Sequence, residues 1–315
     1  MITILAGGVG GARFADGLVQ AVGPENVMVV VNTADDFNLY GLRICPDIDT
    51  VLYTLAGIAD QVQGWGIGGD TRATLHGIAA FGEEPWFLLG DRDFATHILR
   101  TYWLRNGTPL GAVVDRLRRS LGVETAIHPM SDDPVATQID TPDGRLAFQD
   151  YFVRRRQQDQ VIGVEFEGVA SARRNEAALN AINSADLVLF APSNPIVSIG
   201  PILAVDGFRE ALARNRAPVV AVSPIIGGKA LKGPADKMLT SLGHETSALG
   251  VARIYAGIID AFVIDRVDRH QSAAIEGLGI QVLATDAIMH DVADRGRLAG
   301  EVLTFGQTLK VKAPA

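Results

Sequence analysis

A single cysteine, Cys45, stands in 315 residues. No intramolecular disulfide can form, so the chain needs no covalent staple and suits a reducing cytoplasm. No uninterrupted apolar stretch nears the roughly 18 residues of a spanning helix, and no membrane is expected as a partner. Positive charge is in deficit: 28 Lys and Arg stand against 36 Asp and Glu, a net of −8. That balance excludes general nucleic-acid binding, which needs a basic face, yet leaves room for a small anion held by a few side chains and backbone amides. The N-terminus turns to glycine with no basic region before it, so it does not read as a secretory signal. No Cys/His cluster has zinc spacing and no Gly-x-Ser-x-Gly elbow occurs, which sets aside zinc sites and hydrolase triads. What is present, 48% hydrophobic and 20% charged residues, is ordinary for a well-packed soluble protein.

Apolar runs mark the strands. Ile2–Ala6 ends in glycine, Val27–Val31 is β-branched, and between them Phe14, Leu18 and Val22 share one face of a helix over 12–22. Strand, helix and strand within about 30 residues make a right-handed βαβ unit. Helices are expected near 50–60, 70–81, 93–106 and 108–120, and strands near 123–128 and 135–140. Asp143-Gly144 reads as a hairpin turn with a second arm over 145–153. A second βα series is expected from Val161, with strands at Leu187–Ala191, Pro218–Val222, Ala261–Asp265 and Ile280–Ala284 and helices over Ala204–Arg214 and Gly250–Gly257. The tail Val311–Ala315 is expected to fray. The fold class is α/β: a mostly parallel, Rossmann-like doubly wound sheet in one domain, 1–315, with an inserted helical and hairpin region at about 60–155. Polar, glycine-rich or proline-rich turns follow Leu5, Phe190 and Val222, and open α/β sheets bind ligands beyond the carboxyl ends of their strands.

Several stretches carry candidate chemistry. In Ala6-Gly7-Gly8-Val9-Gly10-Gly11-Ala12-Arg13 the glycines let backbone N–H groups approach a phosphate at a helix N-terminus. The spacing matches neither a dinucleotide fingerprint nor a P-loop, and a ligand-free tight turn is the alternative. Asn32-Thr33-Ala34-Asp35-Asp36 and Cys45-Pro46-Asp47-Ile48-Asp49-Thr50 bring four carboxylates together after a strand, a set that suits Mg²⁺; helix capping by Asp49 or Thr50 competes. In Gly90-Asp91-Arg92-Asp93, followed by Ala95-Thr96-His97, alternating charge suggests a guanidinium held for a carboxylate or phosphate, or a helix start capped by Asp91. Pro129-Met130-Ser131-Asp132-Asp133-Pro134 reads first as a polar turn. Pro192-Ser193-Asn194-Pro195 follows a buried strand and offers polar groups to a base edge or phosphate, or is a proline-stiffened turn. Ser223 to Lys237 is a glycine-containing loop with Lys229, Lys232 and Lys237, an anion-binding lid or a solvated loop.

In this order and combination, these stretches resemble the 2-phospho-L-lactate transferase family of coenzyme F-420 biosynthesis. The match extends through Ser223-Pro224-Ile225-Ile226-Gly227 and Gly233-Pro234-Ala235-Asp236, from about residue 2 to 270, and fades in the last 45 or so. The resemblance implies transfer of phospholactate, or of phosphoenolpyruvate or phosphoglycerate, from a guanosine diphosphate-type donor. The acceptor is the terminal ribityl hydroxyl of the deazaflavin Fo, the leaving group is GMP, and the expected metal is Mg²⁺. An alcohol then attacks phosphorus with no covalent intermediate, and positioning with charge neutralisation supplies the acceleration.

On this resemblance Asp36, Asp47 and Asp49 hold the metal, and Asp49 lies nearest the acceptor hydroxyl as a base, with Asp36 and Arg92 also catalytic. Fo is met by Asp49, Arg92, Asp91 and Thr96. Nucleotide and phosphate fall to Gly7, Gly8, Gly10, Gly11, Arg13, Asn32, Ser193, Asn194, Ser223, Lys229 and Lys232. The partners are these small molecules and, as for many such enzymes, a second copy in a homodimer. A non-catalytic nucleotide sensor of the same fold is the alternative, and it needs neither the acidic loop nor the Gly-Asp-Arg-Asp stretch. A dinucleotide-dependent oxidoreductase is disfavoured by the glycine spacing.

Overall fold

The computed structural model describes residues 1–309; the fraying expected at Val311–Ala315 lies outside the described residues. Seven parallel strands form the central sheet: β1 (Ile2–Ala6), β2 (Val27–Val31), β3 (Ala126–Pro129), β4 (Leu187–Phe190), β5 (Val219–Val222), β6 (Ala261–Asp265) and β7 (Gln281–Thr285). Their order is β3-β2-β1-β4-β5-β6-β7, so the winding reverses between β1 and β4. That is the doubly wound order with one strand added, and the reversal opens a crevice at the carboxyl ends. Alternate residues feed two cores. Ile4, Leu189, Val220 and Val263 pack on one face, and Leu5, Phe190, Ala221 and Phe262 on the other. A parallel sheet covered on both faces explains why these strands read as continuous apolar runs.

The helices that matter for the site are α1 (Gly8–Val22), α2 (Pro46–Leu55), α3 (Asp91–Arg105), α4 (Leu110–Ser120) and α5 (Val292–Thr308). α1 starts at Gly8, four residues before the expected start, so most of the glycine stretch is helix rather than loop. Its glycines serve close approach: a Cβ on Gly10 would lie 2.6 Å from the Pro192 carbonyl, and one on Gly11 would lie 2.8 Å from Ser193 Oγ. α2 also starts early, with Pro46 at its first position, where a missing N–H costs nothing.

Other differences have local causes. The strand expected at 123–128 is the edge strand β3 of the main sheet, although it falls within the stretch 60–155. The segment after Val161 does not open a second βα series. It is Gly163–Glu167, antiparallel to Ala136–Thr141 in a small sheet that also takes Gly144–Ala147. The second hairpin arm ends at Ala147, and a wide helical turn, Asp150–Arg154, follows. The helix expected over 204–214 is two, Ile199–Ala204 and Phe208–Arg214, broken at Gly207 with φ 87°.

Candidate functional site

A cavity of about 560 Å³ opens beyond the carboxyl ends of β1, β2 and β4, at the reversal of the winding. Gly7, Gly8 and Gly10 border it from β1 and α1, and Ser193 and Asn194 from the turn after β4. Gly8 has φ +65° with open space where a side chain would stand, so the backbone itself faces the cavity. Several of these groups are engaged within the protein. Ser193 Oγ accepts from Gly7 N at 3.2 Å and donates to Gly7 O at 2.8 Å, tying the β4 turn to β1. Asn194 Oδ1 accepts from Ile196 N at 2.9 Å. Asn32 Nδ2 donates to Asp47 Oδ2 at 3.0 Å, and Gly8 N donates to Asp47 Oδ1 at 2.8 Å.

The cationic candidates divide. Lys232 borders the cavity and donates to the Gln63 carbonyl at 2.9 Å. Arg13 faces the same 59–67 loop from α1 and donates to Gln61 O at 3.4 Å. Arg295 of α5 reaches that loop too, at Gln61 Oε1, and pairs with Asp16 at 2.9 Å. Three cations on three elements thus clamp a loop whose Gln63, Trp65 and Gly66 wall the cavity, which is a structural task for the C-terminal helix. Gly11, Ser223 and Lys229 do not border the cavity. Gly11 is buried under Ser193, Ser223 Oγ closes a turn onto Ile225 O at 2.8 Å, and Lys229 lies exposed on a short ribbon.

Buried carboxylates form two groups. In the first, Asp35 and Asp47 border the cavity. Burial pushes the Asp47 carboxyl up to about 6. Burial, then the charge of Asp47, raises Asp35 well above the usual carboxylate range, against a hydrogen bond from Thr137 Oγ1 at 2.9 Å. Neither has a cation at ion-pair distance among the described residues. Asp36 is buried behind them; burial raises it to about 6 although Arg43 lies 3.4 Å away, and its Oδ1 has no hydrogen-bond partner.

The second group lies between α2 and α3. Asp49 is bonded through both oxygens to the guanidinium of Arg100, with Nη1 donating to Oδ2 at 3.0 Å. Asp93 Oδ1 accepts from the Tyr53 hydroxyl at 2.6 Å and lies 3.2 Å from His97 Nε2. Ligand atoms of Asp49, Asp93 and His97 all lie within 4.8 Å of one another. The expected contacts from the start of α3 point elsewhere. Asp91 accepts from Thr71 Oγ1, Ala73 N and Thr74 N, bonds that start the Ala73–Ala80 helix and hold its carboxyl below the usual range. Arg92 is exposed, and neither it nor Asp91 borders the cavity. Thr96 stands beside the Tyr53 phenol, outside the wall.

Sequence reading missed Arg100, Tyr53 and the aromatic wall. Trp86 and Phe87 meet edge to face at 5.7 Å, and Phe148 stacks on Phe152 at 5.4 Å; all four rings border the cavity. A signal for Arg100 was present. Asp93, His97 and Arg100 fall at i, i+4 and i+7 on one helix face, while Ile98, Leu99 and Tyr102 are exposed on the other. α3 is amphipathic with its charged face inward.

The family model described as 2-phospho-L-lactate transferase CofD matches residues 2–295. A phosphoenolpyruvate transferase of Streptomyces griseus subsp. griseus is 42% identical over 98% of this chain and 99% of its own length. A 2-phospho-L-lactate transferase of Methanosarcina acetivorans is 41% identical over 97% of this chain and 99% of its own. A crystal structure of a UPF0052 family protein from Bacillus halodurans aligns with a TM-score of 0.66 at 15% identity, covering 96% of this chain and 98% of that one, a likeness of fold alone. The resemblance carried by the motifs is borne out: the chain belongs to the 2-phospho-L-lactate transferase CofD family, transferases of coenzyme F-420 biosynthesis.

Proposed function

We propose that this cavity transfers a phosphorylated three-carbon acid from a guanosine diphosphate-type donor to the ribityl hydroxyl of Fo, with GMP leaving. The observation that carries the reading is a single cavity whose walls join aromatic rings to two buried acidic groups at the strand ends. Flat rings suit a planar deazaflavin, because stacked and edge-on aromatic contacts stabilise it without fixing many rotamers. Gly8 at the start of α1 and Lys232 across the cavity suit a diphosphate, whose charge the helix dipole also favours. Asp49, held from behind by Arg100, orients the acceptor hydroxyl.

Asp35 and Asp47 fit a hard divalent cation such as Mg²⁺. They are oxygen donors, buried, and raised by burial, Asp35 also by the charge of Asp47, with no cation at ion-pair distance among the described residues. Of the set Asp36, Asp47 and Asp49, the reading keeps Asp47, adds Asp35, and leaves Asp36 behind them. Asp49 is already matched by Arg100. The metal would neutralise charge on the phosphoryl group and its leaving oxygen.

A coupled assay tests this reading. The protein meets Fo and Mg²⁺ with phosphoenolpyruvyl, phospholactyl and phosphoglyceryl guanosine donors separately, and products are read by mass. One donor is expected to yield the phosphodiester and GMP, which also assigns the acid. No product from any donor, with Fo still bound, would leave a binding role in its place. Asp49→Asn is expected to lower kcat by on the order of a hundredfold.

A further inference from the structure

Arg100 has the largest fully buried side chain among the described residues, and it does not border the cavity. Burying a guanidinium costs several kcal/mol of lost hydration, and an apolar side chain of similar volume often stabilises a core as well. Stability is therefore a weak reason for a charge at this position. Its contacts offer another. Nη1 donates to Asp49 Oδ2 at 3.0 Å and to the Arg43 carbonyl at 3.4 Å, and lies 3.2 Å from His97 Nδ1. Nη2 holds the other oxygen of Asp49.

A guanidinium has donors and no acceptor. The contact at His97 Nδ1 is therefore a hydrogen bond only where that nitrogen is the bare one. The imidazole proton then sits on Nε2, 3.2 Å from Asp93 Oδ1. Asp93 Oδ1 accepts from the Tyr53 hydroxyl, while His97 Nε2 stands close by without an aligned hydrogen bond. Asp49, Asp93 and His97 all border the cavity: Arg100 grips Asp49 directly from behind and touches the histidine that stands beside Asp93.

We propose that Arg100 is the positioning residue of the transfer, fixing the Asp49 carboxylate against the cavity and holding the His97 ring beside Asp93. This rests on the transferase reading above. Displacing a reacting group by about 1 Å costs on the order of a hundredfold in rate, so positioning acts on kcat rather than on binding.

The experiment begins with wild-type turnover, which decides the transferase reading by itself. Given turnover, a folded Arg100→Ala is expected to lose about a hundredfold in kcat with the acceptor KM changed by less than about threefold. Millimolar guanidinium is expected to restore at least about a tenth of the lost rate, which a purely structural defect would not allow. Arg100→Lys is expected to recover only in part, since an ammonium cannot grip both carboxylate oxygens in parallel. Nitrogen-15 correlation spectra of the wild-type enzyme, with His97→Gln used for assignment, are expected to show His97 protonated on Nε2. That measurement needs neither turnover nor a folded Arg100 variant. Wild-type kcat in either Arg100 variant, no response of Arg100→Ala to guanidinium, or a proton on His97 Nδ1 overturns the proposal.

Discussion

Asp47 and Asp49 stand two residues apart in the first turn of α2, and their surroundings are opposite. Residues at i and i+2 of a helix point in different directions. Asp47 turns toward the start of α1 and meets only neutral donors, Gly8 N and Asn32 Nδ2. Asp49 turns toward α3 and meets a buried guanidinium. The first keeps an unmatched charge and a raised carboxyl; the second is paired and held. An acidic centre thus divides into one part open to a cation from outside and one part completed from within. Chemistry that must neutralise a phosphoryl group while orienting an alcohol needs both.

The sharpest way to break this contrast is Arg100→Met, which leaves Asp49 buried and unpaired. Urea unfolding is expected to show a loss of about 3–5 kcal/mol, and the double variant with Asp49→Asn is expected to regain part of it. A loss below about 1 kcal/mol would mean that water reaches Asp49 and the pair is not truly buried.

Asp47→Asn tests the other side. The Asp47 carboxyl titrates near 6 in the folded protein against an ordinary 3.8. The folded state binds that proton more tightly, so the stability it lends is whole below about pH 4 and is lost as pH rises through 6. The loss amounts to about 3 kcal/mol at most. Stability of the Asp47→Asn variant relative to wild type is therefore expected to climb between about pH 4 and 6, read from urea midpoints across that range. A flat difference would show that Asp47 is matched after all.

Mg²⁺ bears on the same carboxylates. At pH 7.5 and a hundredfold above its Kd it is expected to stabilise wild type by about 2.7 kcal/mol. Asp47→Asn is expected to remove most of that gain, whereas Arg92→Ala should leave it intact. The smallest effect falls on Arg92 itself. Exposed and outside the cavity wall, Arg92→Ala is expected to change kcat and the acceptor KM by less than about twofold and stability by less than about 0.5 kcal/mol. A tenfold rise in the acceptor KM would bring Arg92 to the acceptor.

The difference between Arg92 and Arg100 also shows where sequence reading stopped. Gly90-Asp91-Arg92-Asp93 announced a charged helix start, and a motif directs attention to adjacent letters. The side chains that meet the cavity group are Asp93 and His97, with Arg100 behind them, spaced at 4 and 3. Their face reads as surface because charge normally points outward, and the apolar set Ile98, Leu99 and Tyr102 reads as core. The glycines of α1 misled in the reverse sense. Glycine is a poor helix former, so a loop was expected over Gly7–Gly11. The need for α1 to press against Pro192 and Ser193 overrides that propensity.

By itself the sequence determined the parallel sheet, with six of its seven strands placed by runs of β-branched and aliphatic residues, because strands buried on both faces admit little else. It also determined which loops carry acid, glycine and lysine, and through their combination the family. Only the tertiary structure decided which carboxylate meets a cation and which does not, which arginine is buried, and that rings from residues 65, 86–87 and 148–152 share one wall. Those outcomes depend on which helix face turns inward and on groups separated by tens of residues meeting across the sheet's reversal. Local pattern carries no record of such meetings, and the burial that shifts a carboxyl or locks a guanidinium exists only once the chain has closed around them.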